Sequence, residues 1–455
     1  MQLPEVFLNS IKNVKGFDEA AFIKVHQSVE QITAVRLNAS KKSAIELEHL
    51  QSPIPWSSQG YYLNQRPSFT IDPFFHSGAY YVQEASSMFL EQALIQTLEL
   101  SKPIKILDLC AAPGGKSTLI QSLISKESLL VSNEVIKTRV TVLCENISKW
   151  GAANVIVTNN DAKDFARLPD YFDAIVVDAP CSGSGLFRKD AAAIDEWSFN
   201  NVQLCSQRQQ RIVADVLPAL KENGVLIYAT CSYSAAEDEM ICDWLVNDLK
   251  LETIALKIEE NWNIVESKSD LHNAYGYRFF PDKVKGEGFF IAAFKKIKNN
   301  ADEQPAKKNK PSVERVTTNE IEIVSTWLKD PDQFFFIKQN EEIIAMPVHL
   351  HNDLVLIQSS LYIKKAGVKM GAVIRNGLIP NHELALSTIL KNDTAAIEVD
   401  LPTALQYLRR NEIKLDTPLK GWALIKHRQQ PLGWVKILPN RINNYYPKEW
   451  RILNK

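Results

Sequence analysis

The 455-residue chain has no apolar run near the ~18 residues that a membrane-spanning helix needs. Its N-terminus, MQLPEVFLNSIKNVKG, lacks a basic stretch followed by an apolar core. No membrane segment and no signal peptide are therefore expected, and the reading is a cytoplasmic protein. Cysteine is scarce: six residues, none in a C-x-x-C pair. That is neither a disulfide framework nor a zinc ribbon, and no metal site is expected. Two nucleotide motifs are missing as well. A G-x-G-x-x-G is absent, and GGKS falls short of a P-loop because Cys110 stands where its first glycine would be. Charge of one sign does not dominate, since the net is −1.

What is present is an ordinary globular composition, 45% apolar and 23% charged, with length for about three domains. Charge is unevenly spread. Leu401 to Lys455 hold eleven Lys/Arg against three Asp/Glu, leaving the first 400 residues at −9. A basic end on an acidic chain points to an anionic partner. Residues 1–75 read as a small α/β module: a helical pattern near Phe17–Ile32, a short strand in ITAVRLN, a loop, and a helix running towards Leu50. Residues 76–298 hold the regular rhythm, 299–312 a lysine-rich linker, and 313–455 a further domain whose GWALIKHRQQPLGWVKIL alternates like a hairpin.

In the regular block, apolar strands alternate with helices, which predicts a doubly wound, mostly parallel sheet. The strands IKILD, SLLVSNE, ANVIVTNND, FDAIVVD and VLIYATC end on Asp108, Glu134, Asp161, Asp178 and Cys231. The helix before the last strand is expected to run to Gly224, and GYRFFPDKVKGEGFFIAAFKK to close the sheet as an antiparallel hairpin. Ligands bind at the carboxyl ends of such strands. Glu134, 19 residues after Gly115, stands where a carboxylate holds a ribose diol. The loop Cys110, Ala111, Ala112, Pro113, Gly114, Gly115, Lys116 is small enough for close backbone approach. S-adenosylmethionine fits these features: ribose on Glu134, adenine near Asp161, and the amino-acid end over the loop.

Two cysteines stand in equivalent places. Asp178-Ala179-Pro180-Cys181 closes the fourth strand and Thr230-Cys231-Ser232 the fifth. If these strands are neighbours, both thiols open onto one cleft beside Asp178. A thiolate attacking carbon 6 of a pyrimidine makes carbon 5 enamine-like and able to take a methyl group. An acid at ring nitrogen 3 stabilises the adduct, and Asp178 is placed for it. Cys144, Cys205 and Cys242 lie in helical patterns and read as core; Cys110 reads as a loop wall beside cofactor.

The motifs DLCAAPGGKS, DAPCSGSGLFRKD and ATCSYSAAEDE, with YYVQEASSM and AVRLN before them, resemble the Sun/Nop family of RNA cytosine-5 methyltransferases across about residues 30 to 295. The resemblance implies a Rossmann-like S-adenosylmethionine domain with Cys231 as nucleophile and Cys181 in breakdown of the adduct. It implies cofactor contacts at Cys110–Lys116, Glu134, Asp161 and Asp178, and it matches Arg188 and Lys189 to a basic pair. ALQYLRRNEIKLD, GWALIKHRQQPLGWVKIL and NRINNYYPKEWRI are similar to the α+β, PUA-like tail of bacterial enzymes that modify small-subunit ribosomal RNA.

The expected partner is RNA, and the expected state a monomer. Basic residues among Trp422, Trp434, Tyr445, Tyr446 and Trp450 offer phosphate contacts and stacking surfaces, unless the rings are core of a small β-domain. Arg36 and Asn38 are placed along the same RNA path. Rival readings are the same chemistry on tRNA, a non-catalytic ribosome-assembly factor, and a methyltransferase acting on protein nitrogen.

Overall fold

The computed structural model describes residues 3–28, 30–41, 50–297, 315–375 and 377–453. The linker expected over 299–312 and the helix expected just before Leu50 lie outside them.

Five strands form the parallel centre: Lys105–Asp108, Leu129–Asn133, Val155–Thr158, Phe172–Asp178 and Leu220–Thr230. Their side chains are buried on both faces, as the continuous Val/Ile/Leu runs require. Alternate residues feed opposite cores: Ile106 and Val176 enter one, Leu107, Ile175 and Val177 the other. Lys105–Asp108 pairs with Leu129–Asn133 on one side and Phe172–Asp178 on the other, so the strand order reverses there. The doubly wound sheet expected from the alternating segments is thus present. Antiparallel strands Phe289–Lys296, Tyr275–Phe279 and Val265–Lys268 extend it beyond Leu220–Thr230. The helix Lys137–Trp150 stops at Gly151, where φ is +91° and a Cβ would stand 2.5 Å from the Leu386 carbonyl oxygen.

The helix expected to reach Gly224 ends at Val216 instead. Pro218 cannot donate to a continuing helix, and Leu220 already pairs with Phe172. The strand then bulges near Asn223, whose φ is +63°, before regaining register at Val225.

At the N-terminus, helices Glu5–Ile11 and Glu19–Gln27 place Phe7, Ile11 and Phe22 against Phe187, Trp197, Tyr233 and Phe280 of the central block. They therefore wall the loop that follows Cys181. A four-stranded antiparallel sheet comes next: Leu50–Pro53, Gly60–Leu63, Ala34–Leu37 and Tyr80–Val82.

The expectation that Arg36 and Asn38 line an RNA path is overturned, because both are buried. Arg36 donates to Gln83 Oε1 (2.9 Å) and Thr118 Oγ1 (2.6 Å) and lies over the Trp150 ring. Burial lowers its pKa to about 9. Asn38 donates to the carbonyls of Gly78 and Trp150. Polar side chains in a strand can satisfy a neighbouring module instead of solvent, and no local pattern distinguishes the two cases.

After residue 315 two more four-stranded sheets follow. One contains Phe334–Gln339, Glu342–Pro347, Val368–Ile374 and Gly377–Pro380; the other Ala396–Glu398, Gly421–His427, Gln430–Leu438 and Arg441–Asn444. The strand Ile363–Ala366 joins neither and pairs antiparallel with Val155–Thr158 at the edge of the central sheet. Trp434 and Tyr446, candidates for stacking on bases, are core residues, whereas Tyr445 is exposed and packs edge-on against Trp422. Among the described residues no helix is long and apolar enough to cross a membrane.

Arg36→Ala is expected to destabilise the protein by about 3 kcal/mol, because several buried acceptors lose a charged donor together. RNA affinity and its salt dependence should be unchanged; denaturant unfolding and a binding titration at two salt concentrations check both.

Candidate active site

The parallel pairing of Phe172–Asp178 with Leu220–Thr230 puts Asp178 opposite Ala229, so both strands release their chains at the same level. The loops that leave them bring the Cys181 and Cys231 sulfurs to 2.8 Å. Both are free thiols and half-buried. The Cys181 pKa is raised well above its ordinary value, first by its hydrogen bond to Cys231, then by burial and the nearby Glu237 charge. Either sulfur can donate in this contact, and the surroundings of Cys181 disfavour its thiolate.

Beside the thiols, the Lys116 ammonium pairs with Asp178 Oδ2 at 2.7 Å and stands 5.2 Å from the Phe289 ring centre. Burial opposes the Lys116 charge, but Asp178, Asp108 and Cys231 outweigh it and raise its pKa. The site thus holds two thiols, a carboxylate and a fixed cation, contributed by Lys116 and the ends of two neighbouring strands.

Across the strand reversal lies the expected nucleoside site. The loop Cys110–Lys116 turns through a cis Ala112–Pro113 bond and a left-handed Gly114, with φ of +117°. The Arg139 guanidinium (2.6 Å to the Ala112 oxygen) and the Asn146 amide (2.9 Å to the Pro113 oxygen) brace it. Helix Gly115–Leu123 starts there and turns its first amides to the loop. Glu134 is 3% exposed; Oε1 accepts from the Ile136 amide, and Oε2 is 3.6 Å from Arg139. Asp161 caps the short helix Ala162–Arg167. Burial raises the Cys110 pKa, which disfavours its thiolate.

S-adenosylmethionine fits this set. Asp108 donates nothing and accepts from Ser117 through Oδ2, while its Oδ1 is buried with no hydrogen-bond partner. Burial raises its pKa to about 7. The ligand's positive amino group would relieve both conditions, and the loop's small side chains leave room for it.

Sequence reasoning missed the group that holds the two cysteine loops together. The Glu237 carboxylate is fully buried and accepts from the Ser182 amide (2.8 Å), Ser182 Oγ (2.5 Å), Ser232 Oγ (2.7 Å) and Gln209 Nε2 (3.1 Å). One anion thus ties the residue after Cys181 to the residue after Cys231. Its neighbour Asp238 accepts from Thr230 Oγ1 at 2.7 Å and pairs with the buried Arg278 at 3.0 Å. The signal was the acidic run AAEDE that begins four residues after Cys231, which reads equally well as a solvated helix start. Gly185 completes the interlock: its amide donates to the Cys231 oxygen at 2.7 Å, and a Cβ would stand 2.5 Å from that oxygen. Arg188 faces Glu287 and the Glu30 carbonyl, whereas Lys189 is exposed.

A cavity of about 1140 Å³ opens at the opposite ends of the strands, beside Lys105, Leu129, Asp173 and Lys221. Its walls carry balanced charge and no thiol.

Three family descriptions match along the chain. They are the N-terminal domain of 16S rRNA methyltransferase RsmF at residues 3–85, 16S rRNA methyltransferase RsmB/F at 95–295, and the methyltransferase RsmF PUA domain at 394–452. A ribosomal RNA small subunit methyltransferase F from Aeromonas salmonicida is 29% identical, covering 98% of this chain and 97% of its own. One from Vibrio vulnificus is 28% identical over the same shares. Among solved structures, a methyltransferase homologue from Pyrococcus horikoshii matches with a TM-score of 0.55 and 26% identity, over 65% of this chain and 95% of its own. NSun6 from the same organism, solved with the S-adenosylmethionine analogue SFG, matches in fold with a TM-score of 0.53 and 20% identity, over 65% and 98%.

Glu237→Gln puts an amide donor against four donors and should part the two loops. Turnover is expected to fall about 100-fold from misplacement of the thiols, with cofactor affinity unchanged. Steady-state rates and a cofactor titration of the variant check this.

Proposed function

We propose that the chain, which belongs to the 16S rRNA methyltransferase RsmB/F family, methylates carbon 5 of a cytosine through a covalent bond to Cys231. Membership makes it an S-adenosylmethionine-dependent methyltransferase of ribosomal RNA. The proposal concerns the atom modified, the route to it and the residues that act. The observation that carries it is the contact between the Cys181 and Cys231 sulfurs beside the Asp178–Lys116 pair. Methyl transfer to a nitrogen or oxygen needs no thiol, and a pure RNA binder needs no pair of them.

The bound cofactor would supply an electrophilic methyl group, held by Glu134, Asp161 and the loop Cys110–Lys116. The chain's own residues do the rest. The target base must leave its stack to reach the cleft. Cys231 loses its proton to solvent, and the Lys116 ammonium nearby favours the resulting thiolate. Its sulfur bonds carbon 6, and ring nitrogen 3 takes a proton from the Asp178–Lys116 pair. The ring electrons then rest at carbon 5, which accepts the methyl. Water removes the carbon-5 proton, the sulfur–carbon 6 bond breaks, and the nitrogen 3 proton returns to Asp178–Lys116. The departing Cys231 thiolate is received by the Cys181 thiol, which has kept its proton throughout. A hydrogen bond to the leaving sulfur lowers the cost of its departure.

The C-terminal region supports docking on RNA. Arg409, Arg410, Lys448 and Arg451 line one concavity of about 570 Å³, with no acidic side chain among its walls. Such a surface suits a phosphate backbone. The small-subunit RNA of the cytoplasmic ribosome is the substrate this reading assigns.

The test is transfer of labelled methyl from S-adenosylmethionine to small ribosomal subunits and to total RNA, with the product base identified after digestion. Label in 5-methylcytosine of the small-subunit RNA is expected. Label at another atom would overturn the mechanism, and label in tRNA would overturn the substrate. Cys231→Ala should show no turnover while still binding cofactor; normal methylation by it would remove Cys231 from the nucleophile role.

A further inference from the structure

The strand Ile363–Ala366 lies outside the segment 95–295 that carries the methyltransferase match. It nevertheless completes the edge of the central sheet where the adenine end of the cofactor is expected. Its pairing with Val155–Thr158 runs up to Thr158, opposite Ile363. The next residue outward, Tyr362, then grips the turn that leads to Asp161. The Tyr362 amide donates to Asn160 Oδ1 (2.9 Å), and Asn160 Nδ2 donates back to the Tyr362 carbonyl (3.1 Å). The Asn159 amide donates to the same carbonyl at 3.1 Å.

From Asn160 the connections continue under the whole cofactor site. The Asn160 amide donates to Asn133 Oδ1 (3.0 Å), and Asn133 Nδ2 donates to the carbonyls of Asn160 (3.0 Å) and Leu109 (3.1 Å). Leu109 immediately precedes the loop Cys110–Lys116. Asn159 Nδ2 donates to the Glu134 carbonyl at 2.6 Å. The chain at Leu109, Asn133–Glu134 and Asn159–Asn160 is therefore linked, through three asparagines, to a backbone segment from the far part of the chain. The Arg167 guanidinium adds a brace at 3.0 Å to the Ser360 carbonyl. Tyr362 itself is 59% exposed, beside this turn.

We infer that residues 361–366 form part of the cofactor site, with Tyr362 and Asn160 as positioning residues that fix the Asn159–Asp161 turn for an adenosyl group. Without the added strand, Val155–Thr158 is an open edge and the turn beyond it has no partner on its outer side. Ordering that turn in advance lowers the cost of binding. The effect falls on cofactor affinity and not on the cysteine chemistry, which lies across the strand reversal.

The inference rests on the cofactor site being where the loop and Glu134 place it. Hydrogen exchange of the wild-type full chain, with and without the S-adenosylmethionine analogue sinefungin, tests both together. Slower exchange is expected at 362–366 as well as at 110–116 and 133–135. Slowing at the loop with none at 362–366 overturns the inference and leaves the cofactor site standing; slowing at neither place overturns both. Asn160→Ala should weaken sinefungin binding about tenfold and raise the cofactor KM similarly, with kcat at saturating cofactor within about twofold of wild type. Asn160→Asp, which keeps the acceptor for the Tyr362 amide, should recover part of the loss. A folded Asn160→Ala protein with unchanged affinity contradicts the role.

Discussion

Everything in the proposed chemistry depends on the parallel pairing of Phe172–Asp178 with Leu220–Thr230. Two adjacent strands that end level deliver two loops to one place, and each loop carries a cysteine. Adjacency alone would leave thiols on two separate loops. The buried Glu237 carboxylate removes that freedom, since Ser182 and Ser232 share it. A carboxylate accepts at several lone pairs and donates at none, so no neutral side chain of its size satisfies the same four donors. Its charge adds to the hydrogen bond with Cys231 and to burial in disfavouring a Cys181 thiolate.

Much of this was legible in the sequence. Short apolar runs ending in Asp108, Asp178 and Cys231 gave strands and their functional ends together. The rhythm of strand and helix gave the neighbour relation that brings Cys181 to Cys231. Glu237 was not legible as a bridge, because AAEDE looks the same whether it is solvated or buried under two serines. Arg36 misled for a similar reason: a cation in a strand suggests RNA, but here its partners belong to another module, 82 residues away at Thr118. The bulge at Asn223 was hidden because KENG carries turn residues within a continuing strand. The pairing of Ile363–Ala366 with Val155–Thr158 joins segments about 200 residues apart, and no local period encodes such a contact.

The parts outside the central sheet divide the remaining work. The N-terminal helices wall the loop after Cys181 through Phe7 and its ring contacts with Phe187 and Trp197. The C-terminal region buries Trp434 and Tyr446 and gathers Arg409, Arg410, Lys448 and Arg451 around one concavity. Of the aromatic residues in this basic segment, Trp434 and Tyr446 thus serve the core, whereas Tyr445 stays exposed.

The central claim is that Cys231 carries the base and Cys181 releases it. Its most direct test is to incubate Cys181→Ala with small ribosomal subunits and S-adenosylmethionine, denature, digest and map any nucleotide-bearing peptide by mass spectrometry. A denaturant-stable protein–RNA adduct is expected, with the nucleotide on the peptide containing Cys231. Free protein under turnover conditions, or a nucleotide on any other residue, would contradict it.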